Sequence, residues 1–390
     1  MRSIKRKTQI WVLAGFFAAI SSTASMSFAA EAAWTRKTDM PTKRFGISIA
    51  DVDGKLFVVG GSDASSRLST VQVYNPATDT WTSRADMPTA RKNTAAAVVN
   101  GIIYVFGGDQ GGGSINITEA YDPSTDTWTS KSDMPTPRLG LAAVPVEGKI
   151  YVIGGWGANG AFESVVEVYD PVTDTWEQKA EAPFPNGDFG YAAFNGKIYF
   201  FGGATTLGVR TDTSEYDPAT DTWTTKAPMA RGRIFPSASV LGGKIYVMGG
   251  NLSESSVTPL MDIYDPVANR WGTGISMPTA RGGFAAATVH GKIYAIGGQT
   301  GITWDTPGTI YGIVESLALP AAPEAELTIQ KSVLLSWNQG ATPYIVESAA
   351  SAEGPWTAVV DSESHIVGGQ VHMTVLQPRA AQLFRLSRTP

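Results

Sequence analysis

The sequence predicts an all-β protein assembled from six copies of one four-stranded unit, and three observations carry that prediction. A Gly-Gly doublet recurs at Gly60-Gly61, Gly107-Gly108, Gly154-Gly155, Gly202-Gly203, Gly249-Gly250 and Gly297-Gly298, at intervals of 47, 47, 48, 47 and 48 residues. A fixed period of this length marks a repeat array whose units bury their apolar faces against their neighbours. The apolar runs inside each period are short, rich in Val, Ile and aromatic residues, and bounded by Gly, Pro, Asp and Asn, which suits strands and not helices. Two turn signals also recur once in every period.

The second period shows the four pieces most clearly: Met87-Pro88-Thr89-Ala90-Arg91, then Ala95 to Val99, then Ile102 to Phe106 before the doublet, then Tyr121-Asp122-Pro123 leading to Trp128. Each period is read as four strands, called a to d in order, with Ala95 to Val99 as strand a and Ile102 to Phe106 as strand b. Strands a and b are joined by Asp53-Gly54, Asn100-Gly101, Glu147-Gly148, Asn195-Gly196, Gly242-Gly243 and His290-Gly291. Such pairs suit a tight hairpin, whose central residues need positive φ. Strand b is nearly all apolar, as expected of a strand covered on both faces.

The c–d connection is Asp122-Pro123-Ser124-Thr125-Asp126, with counterparts at 170–174, 217–221 and 265–269 and Asn75 opening the earliest copy. This is turn chemistry; the carboxylates lack the ligand spacing and terminal glutamate of an EF-hand. Tyr and Trp stand seven apart at Tyr74/Trp81, Tyr121/Trp128, Tyr169/Trp176, Tyr216/Trp223 and Tyr264/Trp271. Sugar stacking is one use for such rings, but their presence in each of these copies favours packing between adjacent sheets.

The doublet, the spaced Tyr and Trp, and Met-Pro-Thr-x-Arg before strand a together resemble the kelch repeat over Trp34 to Leu317. The resemblance implies an all-β, six-bladed kelch β-propeller, each blade a four-stranded antiparallel sheet around a central channel. The sixth doublet is followed by Tyr311 at the expected spacing, but Ala318 stands where the next Trp should fall, while Trp34 precedes the first strand a without a Tyr. The expectation is that the segment around Trp34 supplies strand d of the last blade and closes the ring, leaving no open edge.

Residues 1–29 read as a secretory signal. Arg2, Lys5, Arg6 and Lys7 precede an apolar run of 11 residues from Ile10 to Ile20, and small residues at 27 and 29 suit cleavage after Ala29. The expectation is a secreted or periplasmic protein with no membrane insertion after cleavage. Its removal leaves 26 Lys+Arg against 35 Asp+Glu, a formal charge near −9, which disfavours nucleic acid and anionic lipid as partners. With no cysteine, disulfides, thiolate metal sites and a cysteine nucleophile are excluded. That also removes the Cys–Tyr cofactor of the copper-radical galactose oxidase found among kelch proteins. The three histidines, His290, His365 and His372, lie in an a–b turn and beyond the propeller, so neither a histidine metal cluster nor a Ser-His-Asp site is expected inside the ring. No cofactor or metal is expected.

The a–b and c–d turns lie at one end of each blade and hardly vary. The b–c and d–a connections lie at the other end and do vary, which makes theirs the expected ligand face. The b–c loops are 62–69, 109–117, 156–164, 204–213, 251–259 and 299–309. Sixteen residues ahead of the doublets stand Arg44, Arg91, Arg138, Arg233 and Arg281, with Asn186 in the fourth repeat. Arginines at a channel mouth suit carboxylate ligands, but five copies favour a structural ring that pairs with a neighbouring blade or covers apolar surface. The fourth repeat departs from the pattern with Ala182-Pro183-Phe184-Pro185-Asn186-Gly187-Asp188-Phe189. The candidate ligand contacts are Asp109, Trp156, Asp188, Phe189, Arg231, Arg233, Asn251 and Trp304, a mixture of stacking and polar groups.

Residues 318–326 form a Pro/Ala-rich linker. The last segment, 327–390, shows about five short β runs and resembles a reduced fibronectin type III-like sandwich. Three functions follow from this reading. The first is a binding module for a protein or glycan; the second is a cofactor-free carbohydrate enzyme such as the family's sialic-acid mutarotase, using Asp188 with an arginine; the third is an architectural envelope component.

Overall fold

A computed structural model describes residues 32–253, 256–303 and 306–319 throughout, and beyond them strands at 12–13, 332–338, 344–349, 357–358, 362–367, 370–376 and 383–388. One compact unit spans Glu31–Leu319. It holds six four-stranded antiparallel sheets, the blades of the propeller. Blade 1 runs through Ser48–Val52, Lys55–Val59, Val71–Asn75 and Thr80–Arg84 as strands a to d. Blades 2 to 5 repeat this order. The a strands of successive blades contact one another in a closed circuit, the last against the first, so they surround the axis.

Blade 6 draws from both ends of the array. Its strands a to c are Ala285–Val289, Lys292–Ile296 and Val314–Ala318, and its outer strand is Ala33–Lys37. Trp34 lies opposite Leu317, as Trp81 lies opposite Tyr74 in blade 1. The Tyr position of blade 6 is therefore held by Leu317 and not by Tyr311, which precedes the strand. The expected spacing fails because the sixth b–c connection is longer, carrying its own hairpin of Ile302–Thr303 with Thr306–Pro307.

Strand b is buried on both faces, as in Leu56 to Val59, because blades stack face to face. Each apolar cluster is shared between neighbours: Tyr104 and Phe106 of blade 2 pack with Ile150, Val152 and Tyr169 of blade 3. Strand d, with a single half-buried Trp, is otherwise largely exposed.

The Tyr and Trp pairs do more than fill the space between sheets. Each Tyr hydroxyl donates to the last residue of its own c–d turn, Asp79, Asp126, Asp174, Asp221 or Asn269, at 2.5–2.8 Å. That side chain also accepts a backbone N–H from the preceding blade's exit, for example Ala85 onto Asp126, while Trp128 Nε1 donates to the Ala85 carbonyl. One buried phenol and one indole thus latch each turn to the preceding blade. Burial and the adjacent carboxylate push the Tyr74, Tyr121, Tyr169 and Tyr216 hydroxyls far up, fixing them as donors. Trp34 makes the same bond, to Ile275 O at 2.9 Å.

The doublets are where blades touch backbone to backbone. Gly60 and Gly61 have φ of 62° and 99°, and a Cβ on Gly60 would stand 2.6 Å from the Arg91 carbonyl of the next blade. No other residue fits both constraints. The second glycine of each doublet donates its N–H to the residue at the arginine position of the next blade, from Gly61 to Arg91 round to Gly298 onto Arg44, closing a ring of hydrogen bonds.

The second unit contains six strands beyond the propeller. Ser332–Asn338, Gln370–Leu376 and Ser362–Val367 form one antiparallel sheet. Leu383–Arg388, Tyr344–Ala349 and Thr357–Ala358 form the other, with Val12–Leu13 along its edge. Among the described residues, no helix is long and apolar enough to cross a membrane.

Candidate functional site

The five arginines have no exposed side-chain surface, and their guanidiniums turn into their own blades rather than toward a neighbour or the channel mouth. Arg138 donates to the carbonyls of Gly154 at 3.0 Å and Val165 at 3.2 Å, and to Glu167 Oε2 at 2.6 Å. Arg91 pairs with Glu119, Arg233 with Asp262 and Arg281 with Glu315, while Arg44 meets the neutral Gln72. Burial lowers the arginine pKa values against the pull of these acids. What reaches the neighbouring blade is the arginine's backbone carbonyl, held by the doublet. The partners, an amide in blade 1 and acids elsewhere, stand two residues before the repeated Tyr, a column of Gln72, Glu119, Glu167 and Asp262.

Two residues after each arginine position lies a second, inner ring: Gly46, Asn93, Gly140, Asp188, Phe235 and Gly283. All six have φ between 53° and 62°. Their backbones form a closed cycle in which each N–H donates to the carbonyl of the preceding blade, Asn93 to Gly46 at 2.7 Å, Asp188 to Gly140 at 2.9 Å, and finally Gly46 to Gly283 at 2.8 Å. The residue just before each member pairs with the first residue of a b–c loop, as Lys92 does with Asp109 and Gly187 with Ala204. The ring therefore sits at the end of the channel where the variable loops open. Below it the a strands enclose a cavity of about 220 Å³ whose wall includes Ser48, Asn93, Thr94, Asp188, Tyr191 and Ser237.

Glycine meets the left-handed requirement in three blades. The other three carry side chains there, and those of Asp188 and Phe235 are costly. Phe235 is a bulky residue at positive φ, a conformation found only where surroundings enforce it. Asp188 is 5 % exposed, and both its carboxyl oxygens are buried with no hydrogen-bond partner. Burial pushes its pKa up to about 8, opposed by the charge of Lys92. Asp188 was visible in the sequence through the altered fourth repeat. Asn93 and Phe235 were missed, although aligning the repeats at this offset would have set them against three glycines.

The Asp188 shift has a definite pH consequence. The unfolded carboxyl ionises near 3.8 and the folded one near 8, so the folded state binds the extra proton between those values. The group's contribution to stability is fully present below the unfolded pKa and lost as pH rises through the folded one. Asp188→Asn removes the ionisation without disturbing the left-handed backbone. By calorimetry the variant should gain on the order of 5 kcal/mol over wild type at about pH 9 and converge with it toward about pH 4. Parallel melting curves across that range would contradict the assignment.

The remaining candidates are distributed as follows. Asp109, Trp156 and Asn251 occupy one equivalent position, the first after the doublet, and so surround the inner ring. Asp109 resists its burial and stays ionised through the Gly111 N–H and Arg67, whose Nη2 lies 2.7 Å away. Trp156 is half-buried and packs edge-on against Phe162 at 4.4 Å. Asn251 is fully buried, with neither side-chain polar atom partnered. Phe189 is a core residue against Phe200, Arg231 is exposed, and Arg233 is internal. The expected pairing of Asp188 with an arginine is not built through Arg233, since that guanidinium is enclosed with Asp262. Trp304 lies outside the described residues. Among the described residues, no cluster of three metal-ligating side chains occurs.

Comparison with known proteins agrees with this architecture. The solved structure described as "Structure of YjhT" aligns with a TM-score of 0.61 over 72% of this chain and 96% of that one, at 18% identity, which is a likeness of fold. No curated protein matches the chain. The family model of the Attractin/LZTR1 beta-propeller matches residues 56–305, more than half of the sequence. The chain belongs to the Attractin/LZTR1 β-propeller family, a kelch-type ring here closed at six blades.

Proposed function

We propose that this propeller is an exported interaction module that takes a protein or glycan ligand on the face formed by the b–c and d–a loops, at the mouth of its channel. One observation carries the reading. In a ring whose geometry asks for glycine, three of six blades place Asn93, Asp188 and Phe235 there, at the cost of a strained backbone and an unpartnered carboxyl. Costly local conformations gathered at one place are a mark of a functional site. Asp109, Trp156 and Asn251 stand around the same mouth. Kelch-type propellers commonly mediate protein interaction, which agrees with this use of the face.

The test replaces the three axial side chains by Gly, singly and together, in the mature protein. Thermal shift is then read against panels of neutral and acidic glycans and of peptides. The variants should melt no lower than wild type and lose any ligand-induced shift. A large drop in melting temperature would show these side chains to be structural and overturn the reading.

A second reading is favoured by Asp188 itself. A carboxyl that keeps its proton at neutral pH, beside a cavity lined with Ser48, Thr94 and Tyr191, suits general acid catalysis of sugar ring opening. Anomer exchange of a sialic acid, followed by NMR and absent in Asp188→Asn, would support a cofactor-free mutarotase; equal exchange with and without protein excludes it. Export is tested by N-terminal sequencing of the mature protein, expected to start at Ala30. The two-sheet C-terminal unit is read as a fibronectin type III-like spacer or attachment module.

A further inference from the structure

The fourth blade departs from the other five at several positions, and these converge on one place. The repeated Met becomes Ala182, the Thr becomes Phe184, the arginine becomes Asn186, and the acid or amide of strand c becomes Ser214. Blade 3 shows what the lost group would have touched: Arg138 donates to the carbonyls of Val152, Gly154 and Val165 and to Glu167. The equivalent positions in blade 4 are Phe200, Gly202, Asp212 and Ser214. All four line a pocket between blades 3 and 4, beside Phe184, Asn186 and Trp223.

Asn186 retains one of the arginine's bonds, donating Nδ2 to Gly202 O at 2.8 Å. Its Oδ1 is buried with no partner, on a residue 8 % exposed. The void has about 20 Å³ of room for the centre of a water-sized group. The lining residues offer backbone carbonyls, the Ser214 hydroxyl, the Asn186 amide and the carboxylates of Glu163 and Asp212, the last already paired with Arg210. Phe184 already supports one guanidinium on its ring, that of Arg210 at 4.9 Å.

We propose that this pocket binds an alkylguanidinium group, the arginine side chain of a partner protein, in the place the chain's own arginine fills in five blades. A planar cation with several donors matches the acceptors left by the missing arginine, and Phe184, Phe200 and Trp223 line the same pocket. An ammonium offers the charge without the fork. The site is separate from the axial ring, so it stands or falls independently of the channel-mouth reading.

The experiment titrates the full mature chain by calorimetry with ethylguanidinium chloride, ethylammonium chloride, free arginine, and the peptides acetyl-Gly-Arg-Gly-amide and acetyl-Gly-Lys-Gly-amide, at constant ionic strength. Ethylguanidinium should saturate at millimolar concentration and bind about fivefold tighter than ethylammonium or more. The Arg peptide should bind at least as tightly as ethylguanidinium and better than free arginine or the Lys peptide. Ser214→Glu, which restores the carboxylate alone, should tighten ethylguanidinium about tenfold, and ethylguanidinium should raise its melting temperature more than that of wild type. Should this variant fail to fold by itself, ethylguanidinium must restore it. Asn186→Arg with Ser214→Glu fills the pocket from within and should abolish binding while remaining folded. The proposal is overturned by no saturable binding below about 50 mM, by equal affinity for ethylammonium, or by binding unchanged in the filled variant. Tighter binding of free arginine than of the peptide would overturn the assignment to a partner's side chain.

Discussion

Deletion of Ala30–Thr38 from the mature chain should abolish cooperative unfolding of the propeller or lower its melting temperature by about 15 °C or more. The segment contains the outer strand of blade 6, Ala33–Lys37, which pairs with Val314–Ala318. Without it, that strand's open edge faces water, and Val314 and Leu317, which are buried, lose their cover on one side. A new unpaired edge also invites association between chains. Trp34 contributes separately, through packing in the cluster shared by blades 5 and 6 and through its bond to Ile275. Trp34→Ala should therefore cost about 3–5 kcal/mol with the ring still closed. Calorimetry of both proteins distinguishes the effects; a deletion that melts like the full chain would show that the ring closes without this strand.

Arg138→Ala is expected to destabilise the fold by about 3–5 kcal/mol, or about 6–15 °C in a domain of this size. The loss is large because Glu167 then remains buried and charged, and the Gly154 and Val165 carbonyls lose their donor. Arg138→Met with Glu167→Leu removes both charges at similar volume and should recover most of the loss, since a buried ion pair contributes little over a well-packed apolar substitute. Blade 4 lacks both charges, with the small polar Asn186 and Ser214 at the two positions. A double variant no more stable than Arg138→Ala would show that the pair contributes net stability rather than order. Denaturant unfolding of the three proteins provides the measurement.

Much of the fold was legible because it is written locally. Doublets, Asn-Gly and Asp-Gly turns, and Val-Ile runs each describe a few residues, and repetition removes the ambiguity any single copy would have. Closure was legible too, since a Trp without its Tyr at one end matched a vacancy at the other. Tyr311 misled for the same reason: spacing along the chain identifies a strand residue only while the loop before it keeps its length, and the sixth loop is longer. The site was legible in part. Asp188 stood out in an irregular repeat, but Asn93 sits in a repeat that obeys the pattern and Phe235 in one that keeps the Met and Arg of its motif.

The sequence alone determined the number of blades, the order of strands and the residues that join the two ends, because these depend on patterns carried by neighbouring residues. Tertiary structure decided where each side chain goes. It turned the arginines inward to acids, and in one case an amide, of their own blades and brought six residues, spaced nearly fifty apart, into one hydrogen-bonded ring. It also gathered four substitutions of the fourth repeat into one pocket. These are contacts between distant segments, and their energies depend on burial and partner geometry, which no local pattern contains.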